Sequence, residues 1–177
     1  MKLRTVIAVC LMALMAAAWA RSKVDRDLMP NQRKSFESFL KGKEFVIQDG
    51  VYKFVANAGR DGYADEPIVR QGDSVYFDYA LYPFAQSQEK LAMTNISALI
   101  SGDTIINTQH WSFDPVGVKL GTSAMVAGLE RGLLDCRRGD SVVLLLTSEL
   151  AYGTKSVGTI APNSAVMFSV NVLTVVK

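Results

Sequence analysis

An unbroken apolar run late in the chain constrains the fold more than any other feature. The run is Val142-Val143-Leu144-Leu145-Leu146, and polar residues flank it on both sides. Aliphatic residues without polar alternation are typical of a strand that is buried on both faces. We therefore predict a central strand at 141–147, around which the rest of a sheet must be arranged.

Two more strands are predicted from alternating patterns. Every second residue is apolar in segments 74–82 and 165–173, so each segment presents one apolar face. In the first segment these residues are Val75, Phe77, Tyr79 and Leu81, and in the second they are Val166, Phe168, Val170 and Val172. Each segment is therefore predicted to be a strand with one apolar face.

The N-terminal half carries a predicted hairpin between regions of weaker signal. Residues 45–55 form two apolar stretches around Asp49-Gly50, a pair that accepts the positive φ angles of a tight turn. Residues 57–71 are rich in turn-forming residues. Residues 83–104 show no clear element, so they are either a functional flap or a segment whose structure the pattern does not reveal.

A short amphipathic helix is predicted at 32–41. Asn31 is a suitable N-cap, and Phe36, Phe39 and Leu40 share one helical face. We expect this helix to cover an edge of the sheet, with dimerisation as the alternative role.

A second helix is predicted to follow Ser123, which can cap it. Met125, Leu129 and Leu133 recur at i, i+4 spacing, and Arg137-Arg138-Gly139 is expected to end the helix. A sheet must bury its apolar face, and this helix is available to cover it. One such helix among several antiparallel strands indicates the α+β class.

The first 20 residues have the pattern of a cleaved export signal. Lys2 and Arg4 precede a 14-residue apolar run, 6–19, and Ala18-Trp19-Ala20 has the small-x-small form of a cleavage site. The run is shorter than the ~20 residues that a membrane-spanning helix needs. We therefore expect export to the periplasm or cell envelope, a mature chain without a membrane span, and an exposed lead-in at 21–30 without fixed structure.

Charge and residue counts argue against several classes of function. Cleavage after Ala20 would leave 17 basic and 17 acidic side chains, which gives no electrostatic case for nucleic-acid binding. Cys136 would have no disulfide partner, and we expect it to be a buried thiol. One Cys and one His, His110 in a predicted solvated turn, argue against structural zinc. The sequence therefore implies neither a metal nor a cofactor.

Four motifs in the second half of the chain resemble one known family. They are Gly72-Asp73-Ser74-Val75-Tyr76-Phe77-Asp78-Tyr79, segment 120–133 followed by Arg138-Gly139-Asp140, Leu150-Ala151-Tyr152-Gly153, and Ile160-Ala161-Pro162-Asn163-Ser164-Ala165. Their order and spacing over 72–177 are similar to those of FKBP-type peptidyl-prolyl cis-trans isomerases. The resemblance implies an antiparallel half-barrel sheet wrapped around one short helix, which agrees with the element pattern above.

The resemblance also implies a site. In this family a prolyl ring of a polypeptide substrate enters an apolar pocket between the helix and the sheet, and no cofactor takes part. Carried over to this sequence, the catalytic residues are Tyr79 and Tyr152. The implied substrate-binding residues are Ile106, Asn107, Val116, Met125, Val126, Leu129, Ile160 and Phe168.

The sequence departs from the family pattern at three pocket positions. Leu129 replaces a floor Trp, and Val116 stands where Phe is usual. The family's Phe-Asp pair falls on Ile106-Asn107 by its spacing to Gly121, or on Ala92-Met93 if the flap is counted differently. Neither alternative supplies the Asp. These departures lead us to expect weak activity.

Three functions remain open at this point. The first is isomerisation of X-Pro bonds in exported proteins, which would assist their folding. The alternative is a non-catalytic or weakly catalytic chaperone or peptide-binding module on the same fold. The third is an unrelated carbohydrate- or ligand-binding β domain, which would need an exposed aromatic platform, with Trp111 and Phe113 as the candidates.

The resulting organisation has three parts. Residues 1–20 are a signal peptide, 21–58 hold the lead-in, short helix and hairpin, and 59–177 form the FKBP-like domain. The expected partners are proline-containing polypeptide clients and, through the N-terminal helix, a second copy of the chain.

Export predicts that purified mature protein begins at Arg21, because Ala18-Trp19-Ala20 provides the cleavage site. N-terminal sequencing of the protein from an envelope fraction measures this directly. Retention of residues 1–20, or a lipid attached to Cys10, would contradict the prediction.

Overall fold

The computed structural model describes residues 28–57, 65–84, 90–100 and 112–177. Its strands are β1 (Val46–Gln48), β2 (Val51–Asn57), β3 (Ser74–Pro83), β4 (Met93–Thr94), β5 (Val116–Lys119), β6 (Ser141–Leu146) and β7 (Val166–Val176). Its α-helices are α1 (28–39) and α2 (Ala127–Leu133), and short 3-10 helices lie at Ser97–Leu99 and Ser148–Leu150. Within these ranges, neither α-helix combines the length and apolar character needed to cross a membrane.

The seven strands form one antiparallel sheet of α+β type, as predicted. Their order is β1-β2-β6-β7-β3-β4, and β5 also pairs with β3. Because β7 pairs with β3 along its whole length, β4 and β5 share the other edge of β3. This shared edge borders the candidate site.

Strand β6 is central and covered on both faces, which confirms the prediction from its apolar run. Val142, Leu144 and Leu146 belong to the main core cluster, which includes residues of α2. Leu145 belongs to a second cluster on the opposite face of the sheet. Each fully buried aliphatic side chain of this kind contributes about 1.5–3 kcal/mol, so both faces help to hold β6 in place.

Helix α2 lies unusually close to β6. A Cβ on Gly128 would come within 2.7 Å of the Leu146 side chain, and one on Gly132 within 2.5 Å of the Leu144 side chain. The two glycines therefore allow the helix to approach the sheet. Leu129, between them, is completely buried.

The start of α2 differs from the prediction. Ser123 does not cap the helix, because it has a φ of +57° and lies before its first residue, Ala127. The carboxylate of Glu130, inside the helix, instead accepts hydrogen bonds from the backbone N–H groups of Gly121 (3.0 Å) and Met125 (3.4 Å). Residues before the helix are thus fixed by a side chain of the helix itself.

The end of α2 also differs from the prediction. The helix stops at Leu133, before the expected stop at Arg137-Arg138-Gly139. Asp135 has a φ of +64°, which a continuing right-handed helix cannot contain. The backbone N–H of Arg137 instead donates to a carboxylate oxygen of Asp140, at 2.7 Å, in the turn that leads to β6.

Helix α1 covers a face of the sheet rather than an edge. Phe36 and Leu40 are buried in the second cluster, and the Phe36 ring packs edge-on against Tyr52 and Phe84. The expected N-cap Asn31 lies within the helix, which already includes residues 28–30. That part of the predicted lead-in therefore has fixed structure, and 21–27 lie outside the described residues.

The predicted hairpin is confirmed. Asp49 and Gly50 have φ angles of +48° and +82°, and Gln48 pairs with Val51 across the turn. Strand β2 then pairs with β6. The proposed N-terminal segment 21–58 thus contributes two strands to the same sheet as the later residues.

Two strands had no clear sequence signal. Strand β4 and the 3-10 helix Ser97–Leu99 lie inside 83–104, where the sequence showed no clear element. Strand β5 was also missed. Its four residues include Gly117, and only Val118 among them is buried, so no run or alternation marks the strand. Residues 85–89 and 101–104 lie outside the described residues.

Cys136 is a buried free thiol, as predicted. Burial raises its pKa, and the nearby Lys53 ammonium lowers it to a smaller extent. Lys53 itself is buried on β2 and donates a 2.7 Å hydrogen bond to the carbonyl of Leu134, just past the end of α2. The negative end of the helix dipole stabilises a cation at this position.

Phe168→Ala tests the main core, because Phe168 is buried in the same cluster as Leu129. We expect a loss of ~3–5 kcal/mol in the free energy of unfolding, measured by denaturant titration. Phe113→Ala is the matched control, since Phe113 is 42% exposed and should change stability by less than ~0.5 kcal/mol. Similar effects of the two substitutions would contradict this description of the core.

Candidate functional site

Eight of the ten candidate residues lie in the described ranges, and all eight belong to one apolar cluster. Leu129, Ile160 and Phe168 are enclosed at its base and are called the floor. Tyr79, Val116, Met125, Val126 and Tyr152 are half-buried around it and are called the rim. Ile106 and Asn107 lie outside the described residues.

The cluster lies between α2 and the sheet. Tyr79 comes from β3, Val116 from the start of β5 and Phe168 from β7. Met125 and Val126 lie directly before α2. Tyr152 and Ile160 lie in the connection between β6 and β7. Residues from distant parts of the sequence therefore meet at one end of the helix.

Side chains fix the backbone of Tyr79 where β4 and β5 leave a gap along β3. The Tyr79 N–H donates to Oδ1 of Asn95 at 2.8 Å, and Oγ1 of Thr94 donates to the Tyr79 carbonyl at 2.6 Å. Nδ2 of Asn95 also donates to Oδ1 of Asp78 at 2.9 Å and to the carbonyl of Asp114 at 3.0 Å. The buried Asn95 thus joins three segments around Tyr79.

Neither Asn95 nor Thr94 was identified as a site residue from the sequence. Their only signal was their position after Ala92-Met93, in the alternative placement of the family's Phe-Asp pair. Ala92 and Met93 do pack against the main core cluster. A polar pair following apolar residues in an otherwise featureless segment is too common to identify such a role alone.

The loop that carries Tyr152 is held by its own backbone. The N–H of Gly153 donates to the carbonyl of Ser148, and the N–H of Asn163 donates to the carbonyl of Gly153, each at 2.7 Å. Val157 and Ile160 exchange two hydrogen bonds, of 3.0 and 2.9 Å. These backbone hydrogen bonds within the loop therefore hold Tyr152 and Ile160 in place.

Both rim tyrosines are less acidic than a free phenol. Burial raises the pKa of Tyr79, whose ring centroid lies 6.2 Å from that of Phe168. Burial also raises the pKa of Tyr152, and the neighbouring Tyr79 raises it further by charge repulsion. Both hydroxyls thus remain protonated near neutral pH and can donate hydrogen bonds.

The floor is filled by the protein itself. Leu129 and Ile160 are 0% exposed and Phe168 is 1% exposed. Leu129, at the position where the family pattern has Trp, therefore packs as a core residue. The five rim residues, in contrast, are partly exposed to solvent.

Two hollows lie away from most of these residues. One, of about 410 Å³, lies beside the start of α2 and includes Gln71, Ser123 and Met125 in its lining. The other, of about 310 Å³, lies between α1 and residues 163–165. Neither includes Tyr79 or Tyr152 in its lining, and these two side chains lie half-buried on the rim.

Other candidate chemistry receives no support within the described residues. No group of three or more His, Cys, Asp or Glu side chains there could hold a metal ion. Of the proposed aromatic platform, Phe113 is exposed. Trp111 and His110 lie outside the described ranges.

The sequence matches the family described as FKBP-type peptidyl-prolyl cis-trans isomerase over residues 67–173. This match covers more than half of the chain, and the chain therefore belongs to that family. The matched segment includes every rim and floor residue but begins after α1, β1 and β2.

Individual relatives agree with this assignment. The chain is 26% identical over 157 residues to the FKBP-type peptidyl-prolyl cis-trans isomerase FkpA of Escherichia coli, which covers 88% of this chain and 50% of FkpA. It is 35% identical over 54 residues to FK506-binding protein 2 of Candida glabrata, which covers 30% of this chain and 40% of that protein. The chain thus spans at most half the length of these relatives.

Two solved structures share the fold. A peptidyl-prolyl cis-trans isomerase from Pseudomonas syringae superposes with a TM-score of 0.61 at 16% identity, over 86% of this chain and 96% of that one. FkpA from Escherichia coli superposes with a TM-score of 0.60 at 24% identity, over 96% of this chain and 71% of that one.

The raised pKa values of Tyr79 and Tyr152 predict a loss of stability at high pH. In the unfolded chain a tyrosine ionises near pH 10, whereas the folded protein keeps both protons to higher pH. Above pH 10 the unfolded state therefore binds fewer protons than the folded state. The contribution of the two tyrosines to stability is fully present below pH 10 and is lost as pH rises through their folded pKa values. In a Tyr79→Phe, Tyr152→Phe double variant this alkaline decline should be smaller, as measured by urea titration from pH 8 to 11. Equal declines in both proteins would contradict the prediction.

Proposed function

We propose that this chain catalyses cis-trans isomerisation of X-Pro peptide bonds in polypeptide clients, with Tyr79 and Tyr152 as its catalytic residues. Family membership supports the reaction class. The observation that carries the assignment to a site is the meeting of two hydroxyl-bearing aromatic side chains on one apolar cluster between α2 and the sheet.

The reaction needs no acid, base or nucleophile. Rotation about an imide bond faces a barrier of ~18–20 kcal/mol, because resonance makes the C–N bond partly double. Water bound to the carbonyl stabilises the planar ground state. An apolar site removes that water, and a fixed tyrosine hydroxyl can donate to the carbonyl once it has rotated. Each ~1.4 kcal/mol taken from the barrier increases the rate about tenfold.

The proposed substrate-binding residues divide between rim and floor. Val116, Met125 and Val126 would contact the prolyl ring directly, because they are half-exposed beside the two tyrosines. Leu129, Ile160 and Phe168 would support the ring from below. Ile106 and Asn107 complete the proposed set.

A weakly catalytic chaperone or peptide-binding module is the second candidate, and the filled floor favours it. A prolyl ring resting on the rim is less enclosed than one that enters a deep pocket. Reduced enclosure leaves more water near the imide carbonyl and lowers the benefit of desolvation. Binding of extended apolar segments would be affected less, because it does not require the rotated carbonyl to be dry.

The biological setting is also a proposal. The predicted export signal at 1–20 supports clients among exported proteins and a location in the periplasm or cell envelope, where the chain would assist folding. We propose the organisation 1–20, 21–58 and 59–177, with β1 and β2 of the middle segment completing the sheet. A homodimer through α1 would have to use its exposed polar side, since Phe36 and Leu40 pack on the chain's own sheet.

The proposed mechanism predicts a pH-independent isomerase. We expect kcat/KM for an apolar-Pro peptide to stay constant within about twofold from pH 5 to 8, because tyrosines ionise only near pH 10 and above. Tyr79→Phe and Tyr152→Phe should each lower kcat/KM about 10- to 100-fold, because loss of a hydrogen-bond partner costs about 1–3 kcal/mol. A protease-free peptide isomerisation assay measures both.

Tyr76→Phe is the matched control, because Tyr76 is an exposed tyrosine on the same strand as Tyr79. It should leave kcat/KM unchanged. A bell-shaped pH profile, or full activity in the Tyr79→Phe, Tyr152→Phe double variant, would show that the two hydroxyls do not carry the reaction. Binding of the peptide without turnover would favour the binding module.

A further inference from the structure

Gln32, on α1, joins the two ends of the loop that carries Tyr152. Its side-chain Oε1 accepts a hydrogen bond from the backbone N–H of Ser148, at 3.0 Å. Its Nε2 donates to the backbone carbonyl of Asn163, at 2.8 Å. A single amide side chain therefore connects the start of the loop with its end.

These contacts close a ring of hydrogen bonds. Inside the loop, Gly153 donates to Ser148 and Asn163 donates to Gly153 through their backbones. The ring runs from Gln32 through Ser148, Gly153 and Asn163 and returns to Gln32. Tyr152 immediately precedes Gly153, so the direction of its side chain depends on this ring.

Helix α1 is well placed to act as a fixed support. Phe36, one turn after Gln32, is completely buried against the opposite face of the sheet, as is Leu40. Met29, on the same helix, also contacts the loop, because its Sδ accepts a 3.9 Å hydrogen bond from the Ser148 hydroxyl. Packing of α1 on one face of the sheet thus anchors Gln32, and Gln32 in turn holds the Tyr152 loop.

We infer that Gln32 is a positioning residue, which keeps the Tyr152 loop in the conformation that binds the prolyl ring. This inference rests on the proposed isomerase function. It gives α1, which precedes the segment matched to the family, a direct role at the site. Without the amide, the loop keeps its internal backbone bonds and the adjoining pairing of β6 with β7 but loses the link through Gln32, and open conformations become more populated.

Gln32→Met tests the inference, because Met has similar length and helix propensity but cannot donate a hydrogen bond. Lys34→Met is the control, at an exposed position of the same helix. When only a fraction of the molecules is competent to bind, the apparent affinity equals the intrinsic affinity multiplied by that fraction. Loss of two hydrogen bonds should therefore raise KM about three- to tenfold while kcat changes less than about twofold, since bound substrate restores the loop.

Hydrogen exchange provides a second readout on the same proteins. In Gln32→Met, the amides of Gly153 and Asn163 should exchange faster than in the Lys34→Met control. The amides of β6 and β7 should exchange equally in the two variants, since Gln32 bonds to the loop and to neither strand.

Unchanged KM together with unchanged exchange at Gly153 and Asn163 would overturn the inference. Equal loss of protection in the loop and in β6 and β7 would also overturn it, because that result indicates general destabilisation. If the unsubstituted chain shows no isomerase activity, the proposed function fails. The exchange comparison then still decides whether Gln32 holds the loop.

Discussion

Burial of β6 on both of its faces is the constraint on which the rest of the structure depends. Val142, Leu144 and Leu146 need cover from α2, and Leu145 needs cover from α1. The chain therefore requires a helix on each side of one sheet, although the two helices lie far apart in sequence. Each helix, once docked, also serves the candidate site: α2 forms its base, and α1 reaches the Tyr152 loop through Gln32.

Polar side chains satisfy buried backbone groups that apolar packing would leave without hydrogen bonds. Tyr79 lies on the edge of β3 opposite β7, between the segments that β4 and β5 pair, and buried backbone groups without partners are costly. Asn95 and Thr94 satisfy them with their side chains. In the Tyr152 loop, backbone hydrogen bonds and the side chain of Gln32 satisfy backbone groups that have no strand partner. Both candidate catalytic residues are thus held through polar contacts on top of an apolar floor.

Strong patterns made much of the fold predictable, whereas tertiary contacts decided the remainder. The β6 run, the alternation of β3 and β7 and the Asp49-Gly50 turn each have a local physical cause, and all were confirmed. The limits of α2 were wrong because Glu130 and the positive φ of Asp135, not Ser123, define its ends. Strands β4 and β5 are too short to carry a period. The eight described site residues came from a family resemblance, but Asn95 and Gln32 could not be found that way, since long-range hydrogen bonds leave no local pattern.

The central claim is that the half-open rim around Tyr79 and Tyr152 is where a prolyl segment binds. The most direct measurement is an NMR titration of protein labelled at tyrosine rings and at Val, Ile and Met methyl groups. An apolar-Pro peptide should shift the Tyr79, Tyr152, Val116 and Met125 signals together, and the same peptide with Ala in place of Pro should leave them almost unchanged. Shifts confined to the exposed β1 edge at Val46 and Ile47, or equal responses to both peptides, would contradict the account.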